Sequence, residues 1–94
     1  MNLTIEFAGL PRSLVGRKTI QLDLPASATY RNLIRRLADD YPQLIDLVID
    51  RDQENFLSSN MFVINGDLAT PAMLLDETPP DGAHLILMSV ITGG

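Results

Sequence analysis

Residues 28–42 read "ATYRNLIRRLADDYP", and this stretch decides which fold the chain can adopt. Its apolar residues recur at intervals of three and four, the spacing of one helix face: Tyr30, Leu33, Ile34, Leu37, Ala38 and Tyr41. Thr29 is a typical N-cap, and Pro42 cannot continue a helix. The pattern predicts one helix that begins after Thr29 and ends near Asp40 or Tyr41. The arginines on its other side, which we interpret as a solvated face, are Arg31, Arg35 and Arg36.

Strand patterns surround this helix. Apolar and polar residues alternate in "NLTIEF" (2–7) and "TIQLDL" (19–24), which predicts two half-buried strands. The stretch between them, "AGLPRSLVGRK" (8–18), contains two glycines and a proline, so we expect a hairpin with a long loop. Farther along, "MFVI" (61–64) and "HLILMSVI" (84–91) predict two more strands.

The stretch between the helix and the third strand is less regular. "QLIDLVID" (43–50) fits either a short helical segment or extended chain, and "RDQENFLSSN" (51–60) is polar and indicates a loop. No βαβ repetition is present, so the class is α+β. We expect a mixed four- to five-stranded sheet with the main helix on one face, and with the first and last strands adjacent at its centre.

Composition sets limits on the class of protein. The 94 residues, 46% of them hydrophobic, fit a single folded domain over residues 1–94. The net charge of −5 is a poor match to nucleic acid, whose binding proteins are basic. The chain has no cysteine, no signal-peptide pattern and no apolar run long enough to cross a membrane, so we expect a cytoplasmic location.

The residues offer little for catalysis or metal binding. His84 is the single histidine and has no nearby cysteine or histidine to share a metal, and no nucleophile lies in a recognisable context. Asp50, Asp52 and Glu54 alternate, but Asn55 and Met61 stand where a calcium loop needs glycine and glutamate. Phosphate-binding glycine motifs are absent as well. We therefore expect no metal and no cofactor bound by the chain itself.

The last strand indicates an interaction surface. If Leu85 and Leu87 face the helix, then Ile86, Met88 and Val90 face the other side of the sheet. Apolar residues in a row on an open face often mark a partner-binding surface. The alternative is that the "QLIDLV" segment folds over this face as a second layer.

The end of the sequence, "VITGG" (90–94), suits a flexible tail. Extended, these five residues reach up to ~17 Å beyond the domain. The glycines lack Cβ atoms, so Gly93 and Gly94, preceded by Ile91 and Thr92, can thread a narrow channel of another enzyme. A carboxylate is a poor electrophile, but adenylation by ATP would let sulfide or a thiolate attack it. The tail therefore makes chemical sense as a substrate.

Four segments in order carry a resemblance to a known family. They are "LTIEFAG", "LPASATYRNLIRRLADDYP", "MFVINGD" and "DGAHLILMSVITGG", and the resemblance they carry spans residues 3–94, nearly the whole chain. The sequence resembles the ubiquitin-like sulfur carriers of the MoaD/ThiS group, which have the β-grasp fold. Phe7-Ala8 and the "DRDQENFLSSN" stretch are most similar to the small subunit of molybdopterin synthase.

The resemblance implies a mechanism that other proteins complete. A ubiquitin-activating-type adenylyltransferase (MoeB/ThiF-like), using ATP and Mg, would adenylate the Gly94 carboxylate. A sulfurtransferase would supply the sulfur of a Gly94 thiocarboxylate. The large subunit of molybdopterin synthase (MoaE-like) would then accept the tail. The chain would act as a carrier subunit without catalytic residues of its own.

Two other functions stay open. The thiocarboxylate could serve thiamine synthesis or tRNA thiolation, or the chain could be attached to lysines as a protein modifier. Alternatively, the chain is a β-grasp subunit that only binds a partner and keeps an unmodified tail. Only the last alternative predicts that deletion of Gly93 and Gly94 leaves the function intact.

Overall fold

The fold is organised around one five-stranded sheet. In the computed structural model, residues 1–53, 55–57, 60–64, 67–69 and 75–89 are described. Strands β1 to β5 have the order β2-β1-β5-β3-β4 in the sheet. The elements in chain order are β1 (Asn2–Ala8), α1 (Leu10–Val15), β2 (Thr19–Asp23), α2 (Tyr30–Asp40), a 3-10 turn (Pro42–Leu44), β3 (Asn60–Ile64), β4 (Asp67–Ala69) and β5 (His84–Ser89).

The first and last strands lie side by side at the centre of the sheet, as the sequence predicts. β1 and β5 are parallel, and Ile5 lies opposite Leu85 in this pair. The other neighbours are antiparallel: β2 pairs with β1, and β3 pairs with both β5 and β4. The sheet is therefore mixed, and β5 is hydrogen-bonded on both sides.

Helix α2 begins and ends where its sequence predicts. The Thr29 hydroxyl oxygen accepts a hydrogen bond from the Asn32 amide (3.3 Å), and the Asn32 side-chain oxygen accepts one from the Thr29 amide (2.8 Å). This reciprocal pair is a capping box, which satisfies two amides that have no partner within the helix. The helix ends at Asp40, two residues before Pro42.

The segment at residues 75–77 holds the first turn of α2. The carbonyl oxygens of Glu77 and Leu75 accept hydrogen bonds from the amides of Tyr30 (2.9 Å) and Arg31 (3.0 Å). Burial raises the pKa of the Tyr30 hydroxyl, and the nearby Glu77 carboxylate adds to this effect. The start of the helix is thereby fixed to the chain that leads into β5.

One apolar core fills the space between α2 and the sheet. The helix contributes Tyr30, Leu33, Ile34, Leu37 and Ala38, all buried as predicted. The rings of Tyr30 and Phe56 lie against Phe62, with centroid distances of 6.0 and 4.9 Å. The other buried members include Leu3, Ile5, Phe7, Ile20, Leu22, Leu44, Val48, Ile49, Leu85 and Leu87.

The segment after α2 belongs to this same core. Leu44, Val48 and Ile49 are fully buried in it, so the "QLIDLV" segment packs on the α2 side of the sheet. The alternative in which this segment covers the opposite face is therefore wrong. In the loop predicted at residues 51–60, Phe56 is also buried, and its backbone forms an isolated antiparallel β-bridge with Ile49.

The connection between β1 and β2 differs from the predicted long loop because it contains the six-residue helix α1. Pro11 occupies its first turn, where a missing amide hydrogen costs nothing, and its side chain is buried. Gly9 (φ 68°) and Gly16 (φ 76°) flank the helix in a backbone region that favours glycine. In the sequence these two glycines and the proline indicated a loop. In the structure the glycines flank a short helix, and the buried proline packs its first turn against the core.

Other predictions are confirmed in part. β3 includes the predicted 61–64, and β5 covers 84–89 of the predicted 84–91, with residues 90 and 91 outside the described part. The three-residue β4 follows β3 and accounts for the fifth strand. In the described part of the chain, no helix has the length and apolar character that a bilayer crossing requires.

The core allows a test of the packing of α2. Leu33→Ala removes a fully buried side chain and is expected to lower the free energy of unfolding by about 2–5 kcal/mol. Leu47→Ala is the matched control, because Leu47 is 53% exposed, and its expected effect is below about 0.5 kcal/mol. Urea unfolding followed by circular dichroism measures both. Equal losses in the two variants would contradict this core.

Candidate functional site

The sheet has a second face, which lies opposite α2 and which we call the outer face. Side chains alternate along each strand, so the residues between the core positions point to this side. Its members with described side chains are Asn2, Thr4, Glu6, Ala8, Thr19, Gln21, Asp23, Val63, His84, Ile86 and Met88.

The apolar part of the outer face lies on β5 and its neighbours. Ile86 lies between Glu6 on β1 and Val63 on β3, and Met88 lies beside Ala8 on β1. Ile86, Met88, Val63 and Ala8 are all half-buried, whereas Leu85 and Leu87 have no exposed surface. The alternation predicted from the sequence is confirmed, although strand neighbours shield Ile86 and Met88 more than an open row would suggest.

Polar residues border this apolar patch. His84 Nε2 lies 3.2 Å from the carboxylate of Glu6, the β1 residue beside Ile86. The His84 side chain is 55% exposed and that of Glu6 is 29% exposed, so the contact is open to solvent. Toward β2 the outer face is polar, with Thr19, Gln21 and Asp23 exposed. The surface thus changes from polar at β2 to apolar at β5.

Strand β5 extends to Ser89, the last of the described residues. There Ser89 lies opposite Asn60, the first residue of β3. A Cβ placed on Gly9 would lie 4.0 Å from the Ser89 Cβ and amide nitrogen, so the β1–α1 corner closes against this point. The predicted site residues Val90, Ile91, Thr92, Gly93 and Gly94 lie outside the described residues.

The basic patch predicted on α2 is engaged in local ion pairs. Arg31 lies 3.2 Å from the Asp76 carboxylate, and Arg36 lies 2.8 Å from that of Asp40 one turn later. These exposed pairs contribute less than about 1 kcal/mol each. Their geometry agrees with the interpretation of this side of α2 as a solvated face.

Side chains that could bind a metal do not cluster in the described part of the structure. No group of three or more histidine, cysteine, aspartate or glutamate side chains is close enough there to hold a metal ion. No pocket opens among the described residues either. Of the alternating acids, Asp50 and Asp52 are in the described part and Glu54 is outside it.

Sequence reasoning missed two members of the apolar patch. Val63 belongs to it because β3 pairs with β5 in a register that places Val63 opposite Ile86. Ala8 belongs to it because the parallel pair places it beside Met88. The fully apolar run "MFVI" was the available signal, since a strand with one solvated face would alternate.

Comparison with solved structures identifies proteins with the same architecture. SAMP1 from Haloferax volcanii is 21% identical over 100% of both chains, with a TM-score of 0.80. Urm1 from Trypanosoma brucei is 23% identical over 99% of this chain and 95% of its own, with a TM-score of 0.73. A protein described as molybdopterin converting factor subunit 1, from Pyrococcus furiosus, is 18% identical over 96% and 98%, with a TM-score of 0.73.

No protein-family model and no curated protein sequence matches the chain. The structural likeness, at 18–23% identity, concerns the fold. The chain shares the fold of these proteins, which match 96–100% of its length, and this fold is the predicted β-grasp, ubiquitin-like fold.

A charge placed on each face of β5 tests this arrangement. Ile86→Lys can extend its ammonium to solvent beside Glu6 and is expected to leave a cooperatively folded domain. Leu87→Lys is the matched control: it puts a charge at a fully buried position and is expected to prevent folding. Thermal unfolding followed by circular dichroism distinguishes them. If Ile86→Lys unfolds the domain as well, another layer must cover the outer face.

Proposed function

We propose that this chain is a ubiquitin-like carrier protein whose Gly94 carboxylate is adenylated and converted to a thiocarboxylate. In this proposal the folded domain is the recognition element and residues 90–94 are the reactive element. The carboxylate attacks ATP and releases pyrophosphate, and a sulfur nucleophile then displaces AMP. The chain supplies the acyl group, and its partners supply ATP, Mg and the catalytic residues.

The placement of Ser89 is the observation that carries the proposal. β5 is held between β1 and β3, and its last residue, Ser89, is half-buried, whereas Leu87 in the core is fully buried. The five following residues can extend up to ~17 Å from that rigid point, at about 3.4 Å each. A tail that starts from a strand paired on both sides and ends in two glycines suits delivery of its terminal carboxylate into another protein's active site.

The size of the tail residues supports the same use. Ile91 is the last bulky residue, Thr92 is smaller, and Gly93 and Gly94 have no side chains. Glycines allow close approach of the backbone to a nucleotide and to channel walls. We assign Gly94 as the site of adenylation and thiolation, and Ile91, Thr92 and Gly93 as the residues that thread the channel.

The outer face is the proposed docking surface for these partners. Ile86 and Met88 expose apolar area near the end of β5, and we include Val90, two residues after Met88 in the sequence, in the same proposed surface. A partner that covers this patch would bury it and align its own channel with the tail. Recognition and chemistry would then depend on separate residues of one strand and its extension.

The proposed partners are a ubiquitin-activating-type adenylyltransferase, a sulfurtransferase and an acceptor of the sulfur. We take molybdopterin synthesis as the destination, with a MoaE-like large subunit as acceptor. The resemblance of Phe7-Ala8 and residues 50–60 to molybdopterin synthase small subunits supports this, as does the likeness to the Pyrococcus furiosus protein. Chemistry that uses ATP and reduced sulfur belongs in the cytoplasm, where we place the chain.

A second candidate function is attachment of Gly94 to amines of other proteins. The likeness to SAMP1, a small archaeal modifier protein, favours it. Both functions begin with the same adenylate and differ in the nucleophile that follows, an amine or sulfur. Sulfur transfer to thiamine or tRNA would use the same thiocarboxylate, and the identity of the acceptor enzyme decides among these destinations.

Intact mass spectrometry tests the central step. After incubation with the activating-type enzyme of the same organism, ATP, Mg and sulfide, the chain is expected to gain the mass difference between sulfur and oxygen. The omission of ATP is the control and should leave the mass unchanged. If an enzyme proven active on ATP gives no such gain, the chain is a non-covalent binding subunit with an unmodified tail.

Two glycine-to-alanine substitutions distinguish an effect on the proposed reacting terminus from an effect on the folded domain. Gly94→Ala adds a methyl group at the reacting carbon's neighbour and is expected to reduce adenylation by about a hundredfold, because small misplacements slow reactions strongly. Gly82→Ala is the matched control at a glycine just before β5, where the Gly82 amide donates a hydrogen bond to the Asn2 carbonyl oxygen. Its positive φ makes alanine cost about 1–2 kcal/mol of stability.

The pyrophosphate released per minute measures both variants against the parent chain. Gly82→Ala should activate normally below its unfolding temperature. If Gly94→Ala were adenylated as well as the parent chain, the terminus would not be the reacting group.

A further inference from the structure

Lys18 is the single lysine of the chain, which otherwise carries six arginines. It immediately precedes β2, and its carbonyl oxygen accepts a hydrogen bond of 2.7 Å from the Phe7 amide. Lys18 is exposed, and its ammonium has no ion pair or hydrogen bond with any part of the chain that the structure describes. An amine in this state is open to approach by an acylating group.

The other amine of the chain is held in place. The Met1 α-ammonium donates a hydrogen bond of 2.7 Å to the Leu24 carbonyl oxygen and lies 3.4 Å from the Asp23 carboxylate. The Leu24 amide in turn donates to the Met1 carbonyl oxygen at 2.8 Å, and the Met1 side chain is only 3% exposed. To act as a nucleophile, this amine would have to lose its proton and leave these contacts.

The arginines do not compete as acyl acceptors. A guanidinium stays protonated at any ordinary pH and has no free electron pair to attack a carbonyl carbon. Of the seven basic side chains, Lys18 alone can become a neutral amine nucleophile. Lys18 is therefore the one basic side chain that can form an amide bond.

We propose that Lys18 is the site at which one copy of this chain is acylated by the activated Gly94 of a second copy. The inference rests on the proposed function, because it needs an activated Gly94. The deprotonated Lys18 Nζ attacks the Gly94 carbonyl carbon of the acyl-adenylate. An amide bond forms, the bond to AMP breaks, AMP leaves with the electron pair, and the amine proton passes to solvent.

The donor and acceptor are separate molecules for a geometric reason. While Gly94 carries the adenylate, its tail occupies the pocket of the activating enzyme, so the amine must come from a copy outside that pocket. Lys18 lies two strands away from β5, across β1, and is separate from Ile86 and Met88 on the outer face. Acylation of Lys18 therefore leaves the docking surface of the acceptor copy uncovered.

The numbers of acyl donors and lysine acceptors in each copy determine which linked product can form. Each copy has one carboxyl donor, Gly94, and one lysine acceptor, so linked copies form a linear chain with one type of linkage. Branching would need a second lysine. A protein modifier with several lysines would give linked copies with several types of linkage. Peptide mapping distinguishes such a mixture from the single Gly94–Lys18 linkage expected here.

The test uses the full chain, the activating-type enzyme of the same organism, ATP and Mg, with no sulfur donor. A product is expected at twice the monomer mass less one water, and fragmentation should locate the Gly94 acyl group on Lys18 Nζ. Lys18→Arg keeps the positive charge and removes the nucleophile, so its linked product is expected to fall by more than a hundredfold. Parallel reactions with sulfide should show equal thiocarboxylate formation in both variants.

Each outcome has a defined meaning. Linkage through Met1, linked product that persists in Lys18→Arg, or thiocarboxylate formation without any linked product would overturn the assignment of Lys18 and leave the proposed function intact. A monomer that has lost one water would show closure of the tail on its own chain and would also overturn it. If neither variant is adenylated or thiolated, the proposed function fails and this inference fails with it.

Discussion

The parallel pairing of β1 with β5 is the constraint on which the rest of the structure depends. It places the first and last strands at the centre of the sheet, and β2 and β3 then pair with their outer sides. A parallel pair requires a long crossover between its strands, and residues 9–83 provide it with α2 packed on one face. Because both strands run in one direction, both end at the same edge of the sheet, where Ser89 lies against the Gly9 corner.

This constraint divides the last strand into parts with different uses. Leu85 and Leu87 are fully buried and stabilise the domain, whereas Ile86 and Met88 lie on the outer face and keep part of their area exposed. The proposed reactive group, Gly94, follows this strand in the sequence, and we expect a substitution there to affect the proposed chemistry and to spare the described core. In this view the domain specifies the partner, and the tail carries one activated carbon to it. Lys18, the proposed acceptor, immediately precedes β2 and is separated from Ile86 and Met88 by strand β1.

Much of this fold could be predicted from the sequence because its signals are local. The extent of α2 follows from its helical spacing, Thr29 and Pro42, and β1, β2 and β5 follow from alternation. Helix α1 could not be predicted, because six residues do not form a stable helix alone and Pro11 holds this one through tertiary burial. The burial of Phe56 within a polar stretch has the same origin. For the candidate site, the alternation of side chains along β5 predicted the face on which Ile86 and Met88 lie. Their half-burial could not be predicted, because it depends on Val63 and Ala8, which only the strand register brings beside them.

Methyl cross-saturation in the proposed complex with an activating-type enzyme measures directly whether the partner binds the outer face or the helix side of the sheet. Saturation of the enzyme's protons is transferred to those methyl groups of this chain that touch the enzyme. The Ile86 δ1 and Met88 ε methyl groups are expected to lose intensity, whereas the methyl groups of Leu47, which is 53% exposed, should keep theirs. Strong transfer to Leu47 with none to Ile86 and Met88 would contradict the account, because the partner would then bind the helix side of the sheet.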